Sequence, residues 1–300
     1  MPGAGVADEK SQPLEMQDGS SGRRPALAVI ANLLLPPLGH LYVGAARRGL
    51  LIWVASRAVA SAVPLLLLFL APGRASILGM TVILVAATLV LPIDAFVLAR
   101  RAKFSYRLRP YNRWYAYLAV AVLVGVTGEM LRQALRMQVQ GFRIPSSAMT
   151  PTLLEGDFFY IDKTVYRRQK PHRGDIVVFP FPQDPTKDFV KRVIGLPDEV
   201  IEIRNKEVLV DGAVLNEPYA VYSDPAIRPA GYDPRDNFGP YKIRPRELFV
   251  MGDNRDDSND SRYWGALSTG SIKGRALVIY WSWDGARAAV RWNRIGMRPG

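Results

Sequence analysis

The sequence offers a narrow choice of reactive groups. It contains no cysteine and two histidines, His40 and His172. Disulfides, thiolate nucleophiles and Cys-ligated metals are therefore excluded. A Ser–His–Asp triad or a multi-histidine metal site has almost no material, so chemistry has to run on Ser, Lys, Asp, Glu or Arg. Lys191 sits in an apolar run with Phe189, Val190, Val193 and Ile194. A free lysine, with a pKa of about 10.4, is protonated at neutral pH and cannot accept a proton. Burial disfavours the ammonium and lowers that pKa, which would make a general base at a folding cost of roughly 4–5 kcal/mol if the pKa came near 7. A strand lysine more commonly snorkels to solvent, and these residues alone leave both readings open. Three further stretches stand out: Phe142–Leu153 (FRIPSSAMTPTL), Arg173–Phe179 (RGDIVVF) and Gly252–Gly265 (GDNRDDSNDSRYWG). The acidic run Asp253–Asp260 is not a calcium loop, because it lacks Gly at the sixth position and has Trp264 where the twelfth-position Glu belongs.

Two different halves have to position these groups. The chain has 300 residues, 49% of them hydrophobic and 22% charged, with a formal net charge of +12. Those averages are ordinary but conceal a split: residues 25–135 are mostly Leu, Val and Ala, while 136–300 are polar and aromatic-bearing. Residues 1–24 lack apolar periodicity and read as a disordered tail rather than a cleavable signal peptide. A bilayer core of about 30 Å needs roughly 20 apolar residues as helix, a length approached by Gly49–Ala71, Ala75–Leu98 and Trp114–Leu135. A fourth stretch, Pro25–Val43, is interrupted by Pro36, Pro37, Gly39 and His40, so it is kinked or re-entrant. Arg100, Arg101, Lys103, Arg107, Arg109 and Arg113 crowd the connection before the last span and place it in the cytoplasm. That gives three full spans plus one broken segment, with everything after about residue 136 carried out of the cytoplasm. Arg57, Asp94 and Glu129 fall at membrane depth; Arg57 and Asp94 either pair or snorkel near helix ends. Much of the positive excess lies in juxtamembrane connections, where topology accounts for it, so no nucleic-acid partner is expected.

The second half alternates in short strands: Asp157–Asp162, Asp175–Phe179, Phe189–Ile194, Val200–Arg204, Glu207–Val210, Ala213–Leu215, Leu248–Met251 and Ala276–Trp283. Asp211-Gly212 between two apolar runs is a two-residue hairpin signal. Residues 136–300 thus form an all-β or β-rich domain large enough for its own core. The stretch Trp281–Arg298 reads either as a closing strand with a solvated basic tail, or as a surface on anionic lipid headgroups using Arg287, Arg291 and Arg294.

In this order, after a membrane anchor, Phe142–Leu153, Arg173–Phe179, Phe189–Pro197 and Gly252–Gly265 closely resemble the bacterial type I signal peptidases, membrane-bound Ser/Lys endopeptidases. The resemblance covers about 136–295, and the multi-span N-terminal region is more elaborate than the one or two anchors common in that family. The apolar stretches give a multi-span α-helical membrane region (25–135), and the resemblance implies that the β-rich domain after it (136–300) is a signal-peptidase-like catalytic domain. The family's first motif reads Pro-Ser-x-Ser-Met-x-Pro-Thr, with the second Ser as nucleophile. Pro145, Ser146, Met149, Pro151 and Thr152 match, but Ala148 stands at the nucleophile position and Ser147 at the variable one. Adjacent side chains on an extended segment face opposite ways, so Ser147 is not expected to substitute.

The resemblance further implies Lys191 as general base, the Ala148 N–H and the Ser146 hydroxyl as oxyanion hole, and Ser258 as the hydroxyl orienting Lys191. Ile144, Pro145 and Val190 would bind substrate in small pockets that favour A-x-A sites, and Asp253, Arg255, Asp260 and Arg262 would form a structural network of bidentate pairs. No cofactor or metal is implied. The partners would be signal peptides of exported preproteins, the lipid bilayer and the secretion machinery. The location would be the bacterial cytoplasmic membrane, multi-pass, with the catalytic domain on the extracytoplasmic, periplasmic side. The expectation is a signal peptidase silenced by replacement of Ser with Ala148, an engineered change that preserves the binding groove. The alternative is a natural non-catalytic homologue that binds signal peptides or membrane partners. The related self-cleaving repressors share the Ser/Lys chemistry but are disfavoured by the membrane spans and the lack of a DNA-binding element.

Overall fold

The computed structural model describes residues 24–71, 73–101 and 113–300. The expected N-terminal tail up to residue 23, and Lys103, Arg107 and Arg109 of the basic connection, lie outside them. The first helix among the described residues is α1 (Pro25–Leu34), whose Pro25 sits in the first turn, where no amide partner is needed. Pro36 and Pro37 separate it from the short α2 (Leu38–Tyr42), since consecutive prolines cannot continue the hydrogen-bond ladder. Then follow α3 (Ala46–Leu70), α4 (Arg74–Arg101) and α5 (Trp114–Gln138). Among the described residues these three helices are long and apolar enough to cross a membrane.

The chain divides into two compact units, one of residues up to Ala58 with Ala86–Gly125, the other Val59–Val85 with Val126–Gly300. In the first, Ala28, Val43, Ala95 and Ala99 pack closely, as small residues allow apolar helices to do. Beside them runs a buried polar chain. Asn32 Oδ1 accepts from the Gly39 N–H at 2.9 Å, and Asn32 Nδ2 donates to the Leu91 carbonyl at 3.0 Å. The same Nδ2 lies 3.1 Å from His40 Nδ1, which makes Nδ1 the acceptor and leaves Nε2–H to donate to Asp94 Oδ2 at 2.9 Å. Arg48 completes the chain with two bonds to Asp94 at 2.9 and 2.5 Å. Of the two readings of Asp94, a pair with Arg57 or a snorkelling end, the structure gives neither: the carboxylate is held by Arg48 and His40, because the α1–α2 break carries His40 to it. Gly39 is required here, since a side chain would meet the Ala28 carbonyl and the Asn32 amide.

The second unit contains two antiparallel sheets. The strands are β1 (Val139–Arg143), β2 (Asp157–Asp162), β3 (Ile176–Phe181), β4 (Asp184–Gly195), β5 (Val200–Arg204), β6 (Glu207–Val210), β7 (Ala213–Val214), β8 (Phe238–Lys242), β9 (Glu247–Met251), β10 (Leu267–Ser268), β11 (Gly274–Asp284) and β12 (Ala289–Val290). The larger sheet runs β1-β2-β11-β3-β4-β9-β10 with β12 on β11, and the smaller runs β7-β6-β5-β8. The β6–β7 turn is Asp211-Gly212, with φ of 50° and 81°, as a two-residue hairpin of this twist demands. Strand β1, too polar to read as a strand, pairs along β2 from Val139↔Asp162 to Arg143↔Phe158. Ile144, Met149, Leu153, Phe159, Ile161, Ile176, Val178 and Ile279 form one core. Ile194, Ile201, Ile243, Phe249 and Met251 form a second, against the small sheet.

The C-terminal stretch is anchored rather than free. Arg294 is buried on Asp157 with bonds of 2.6–3.1 Å, and Arg291 bonds the Glu155 and Trp283 carbonyls. These two arginines close the domain and are not available to lipid, while Trp281, Trp283 and Trp292 remain exposed.

Replacing Asn32 with Leu would strand the Gly39 N–H and His40 Nδ1 in an apolar setting and should cost about 1–3 kcal/mol. Thermal unfolding in detergent should show it, with Leu51→Ala at an exposed position leaving the midpoint unchanged.

Candidate active site

The reactive groups converge from three segments of the second unit. The first is the loop between β1 and β2. Ile144 is tied to the base of this loop by bonds to Asp157 and Gly156, and Met149 and Leu153 plug into the core. Between these anchors Ser147–Thr150 make a turn, closed by Thr150 N–H on the Ser147 carbonyl at 2.9 Å. The expectation of an extended segment is thus corrected. Ser147 is diverted by a hydrogen bond from its hydroxyl to Asp257 rather than by strand alternation.

The second segment is β4, an interior strand between β3 and β9. It carries Val190 opposite Val178 and Lys191 opposite Val177. Lys191 is 4% exposed, with Nζ 5.4 Å from the Phe189 ring centre. Burial pulls its pKa down to about 8, reinforced by the charge of Arg262 and opposed by Asp260, Asp253 and Asp257.

The third is the Gly252–Asp260 loop after β9, which runs against the turn: Asn254 N–H donates to the Ala148 carbonyl at 3.2 Å. Gly252 permits this approach, since a side chain there would meet Ser258 Oγ and the Ala148 carbonyl. Ser258 Oγ is buried without a hydrogen-bond partner of full geometry, and Asp260 is its charged neighbour.

Around Lys191 the charges are locked. Asp260 accepts two bonds from Arg262 at 2.8 Å and one from Gly252 N–H; burial works against its charge, but Arg262 keeps its carboxyl below the usual range. Asp253 and Arg255 do not pair within the motif. Asp253 takes a bidentate fork from Arg192 at 2.7 and 2.8 Å, and Arg255 forks onto Glu217 with both bonds at 2.6 Å. Arg192 also stacks over Tyr219, 4.0 Å from the ring centre. Sequence reasoning missed both Arg192 and Glu217. Arg192 is masked by its neighbour Lys191, and Glu217 lies 38 residues from its partner with no spacing signal.

A cleft of about 400 Å³ gathers Phe142, Ile144, Pro145, Ser146, Ser147, Ala148, Val190, Lys191 and Asp257 on its walls. Lys191 and Ala148 thus share one cavity with Ile144, Pro145, Ser146 and Val190, while Ser258, Asp253, Arg255, Asp260 and Arg262 stand behind it. Such a site has a proton acceptor near neutrality, a small apolar wall and no side-chain nucleophile at its centre. A second cavity of about 440 Å³ between Glu202–Arg204 and Ala230–Gly239 has ionic side chains already paired, Glu202 with Arg204 and Asp233 with Arg228.

Lys191→Met tests the burial directly. With a folded pKa of about 8 against an ordinary 10.5, the unfolded chain binds more protons between those values, so the lysine's penalty is full below pH 8 and fades as pH rises to 10.5. The Met variant should therefore be about 3 kcal/mol more stable at pH 7. That gain should vanish above pH 10.5 in denaturant titrations.

The model of the family described as "Signal peptidase, peptidase S26" matches residues 112–281. A probable signal peptidase I-2 of Synechocystis sp. is 39% identical over 163 residues, 52% of this chain and 70% of its own. Signal peptidase I P of Bacillus subtilis subsp. natto is 29% identical over 177 residues, 59% of this chain and 91% of its own. The crystal structure of a signal peptidase I from Enterococcus faecalis V583 is 29% identical and matches 36% of this chain and 97% of its own, with a TM-score of 0.30.

Proposed function

The chain belongs to the signal peptidase, peptidase S26 family, and on that premise we propose that its cleft receives the end of a signal peptide at an A-x-A site and is built for Ser/Lys hydrolysis. The observation that carries this reading is a buried lysine of lowered pKa lining the same cleft as Ala148. With Ser at position 148, neutral Lys191 would take the hydroxyl proton as the oxygen attacks the carbonyl of the second small residue. The N–H of residue 148 and the Ser146 hydroxyl would receive the oxyanion. The Lys191 ammonium would then protonate the departing amine, and Lys191 would next deprotonate the water that frees the acyl group. Ser258 would hold the lysine amine in line.

Ile144 and Val190 rest on the same core, so the wall they make with Pro145 cannot retreat to admit a large side chain. That fits a preference for Ala-sized residues. Asp253, Arg255, Asp260 and Arg262 serve as supports. Ala148 removes the attacking oxygen and leaves the rest in place, so this chain binds signal peptides without cutting them; we read it as a Ser-to-Ala replacement in an otherwise complete site. We place α3, α4 and α5 across the bacterial cytoplasmic membrane with α1–α2 as a broken segment and the β-rich domain outside, within reach of the secretion machinery.

Cleavage of a detergent-solubilised preprotein tests this. The Ala148→Ser variant should cut after the A-x-A site, this chain should not, and adding Lys191→Ala to Ala148→Ser should silence it. Because the neutral amine is the working form, kcat/KM of the Ala148→Ser variant should climb about tenfold per pH unit at low pH and level off above about 8. Binding by both versions with cutting by neither would make the chain a signal-peptide binder only.

A further inference from the structure

The Gly252–Asp260 loop does more than brace the site. Asn254 spans residue 148: its side-chain Nδ2 donates to the Ser147 carbonyl at 3.4 Å, and its backbone N–H donates to the Ala148 carbonyl at 3.2 Å. Three residues on, Asp257 accepts the Ser147 hydroxyl. The peptide units on both sides of residue 148 are therefore reached from this one loop, which adds a second donor to the Ser147 carbonyl beside the Thr150 N–H at 2.9 Å. The loop itself is fixed on either flank of Asn254, where Asp253 and Arg255 are buried in forked ion pairs with Arg192 and Glu217. Asn254 Oδ1 is buried without a partner, so the amide contributes through Nδ2 alone and is poorly explained as a stabilising residue.

The peptide between Ser147 and Ala148 is planar and trans, so its N–H points opposite to its C=O. A donor that fixes the Ser147 carbonyl therefore aims the Ala148 N–H. We propose that Asn254 and the Ser147–Asp257 hydrogen bond form a clamp that aims the backbone N–H of residue 148 at the oxyanion. Ser147, unable to act as nucleophile, is a positioning residue, and so is Asn254. This rests on the hydrolytic reading above, in which that N–H is an oxyanion donor.

The clamp makes a prediction that needs no nucleophile, so the chain can be used as it is. A phosphinic analogue of an A-x-A peptide carries a tetrahedral P–O⁻ where the oxyanion would form, and the plain peptide carries an ordinary carbonyl. Binding of both is measured by calorimetry on the detergent-solubilised full chain and on its Asn254→Ala, Asn254→Leu and Ser147→Ala variants. Asn254→Leu keeps about the same volume and removes the Nδ2 donor without adding a charge, which serves should the Ala variant fold poorly. Losing one aimed oxyanion donor outright costs roughly two to three orders of magnitude, so a misaimed one should cost roughly tenfold in phosphinate affinity. Plain-peptide affinity should change by less than about twofold, since the clamp acts on the tetrahedral state.

Combined with Ala148→Ser, Asn254→Ala should lower kcat by the same factor with KM and the pH midpoint unmoved, because the charges around Lys191 stay in place. Equal losses for both peptides, or a shifted pH midpoint, would mean a merely structural role. An unchanged phosphinate affinity in all three variants would overturn the clamp while leaving signal-peptide binding intact. Failure of the unaltered chain to bind the plain peptide would instead overturn the reading on which the clamp stands.

Discussion

The structure is organised around the cost of keeping one amine dry. Lys191 lies on an interior strand of the larger sheet, with burial pressing its proton off and three carboxylates within electrostatic reach pulling it back. That balance holds only if the carboxylates are themselves neutralised. Arg262 on Asp260 and Arg192 on Asp253 do so in forked geometry, which fixes direction as well as charge. Arg192 follows Lys191 in the chain and pairs with the loop after β9, so the strand that carries Lys191 also bolts down the loop that surrounds it. Removing one partner of such a pair strands a buried charge, a change of about 3–5 kcal/mol. The acidic run that could pass for a metal loop is in this way taken up, Asp253 and Asp260 by arginines, Asp256 by Lys206 and Asp257 by the Ser147 hydroxyl.

The Ser147–Thr150 turn depends on different physics. It has little regular hydrogen bonding of its own and is held by apolar anchors at Ile144, Met149 and Leu153 and by the neighbouring loop. Packing sets where the turn sits, and polar contacts set which way its peptides face. The same division is seen in the helical unit, where alanines bring helices together and the chain Asn32–His40–Asp94–Arg48 fixes their register.

Much of this is legible in the sequence. Strands β2, β5 and β6 can be read to the residue and β3, β9 and β11 to within about two, because alternation and turn residues mark them, whereas only the second half of β4 (Asp184–Gly195) is read, from Phe189 to Ile194. Strand β8 is invisible there, since Phe238–Lys242 contains Gly and Pro in place of an alternating run. Strand β1 escapes because it follows an apolar helix without a break, and no turn residue announces the change of period. At the site, the motifs expose Lys191, Ala148 and the Gly252–Asp260 loop. They do not show that Asp253 reaches Arg192 or that Arg255 reaches Glu217, because a pairing across tens of residues leaves no local pattern. The partners of Asp94 are hidden for the same reason: Arg48 lies 46 residues away and His40 sits beyond a proline break whose path only the fold reveals.

The direct passage from α5 into β1 has a consequence for selection. Helix α5 ends at Gln138 and strand β1 starts at Val139, with Ala148 ten positions after the helix end (148 − 138 = 10). Even fully extended, ten residues reach no farther than about 35 Å, and β1 is pinned to β2 along its length. With α5 across the bilayer, as proposed, the cleft would lie within that distance of the membrane face, and a small-x-small sequence deeper in a mature domain would stay out of its register.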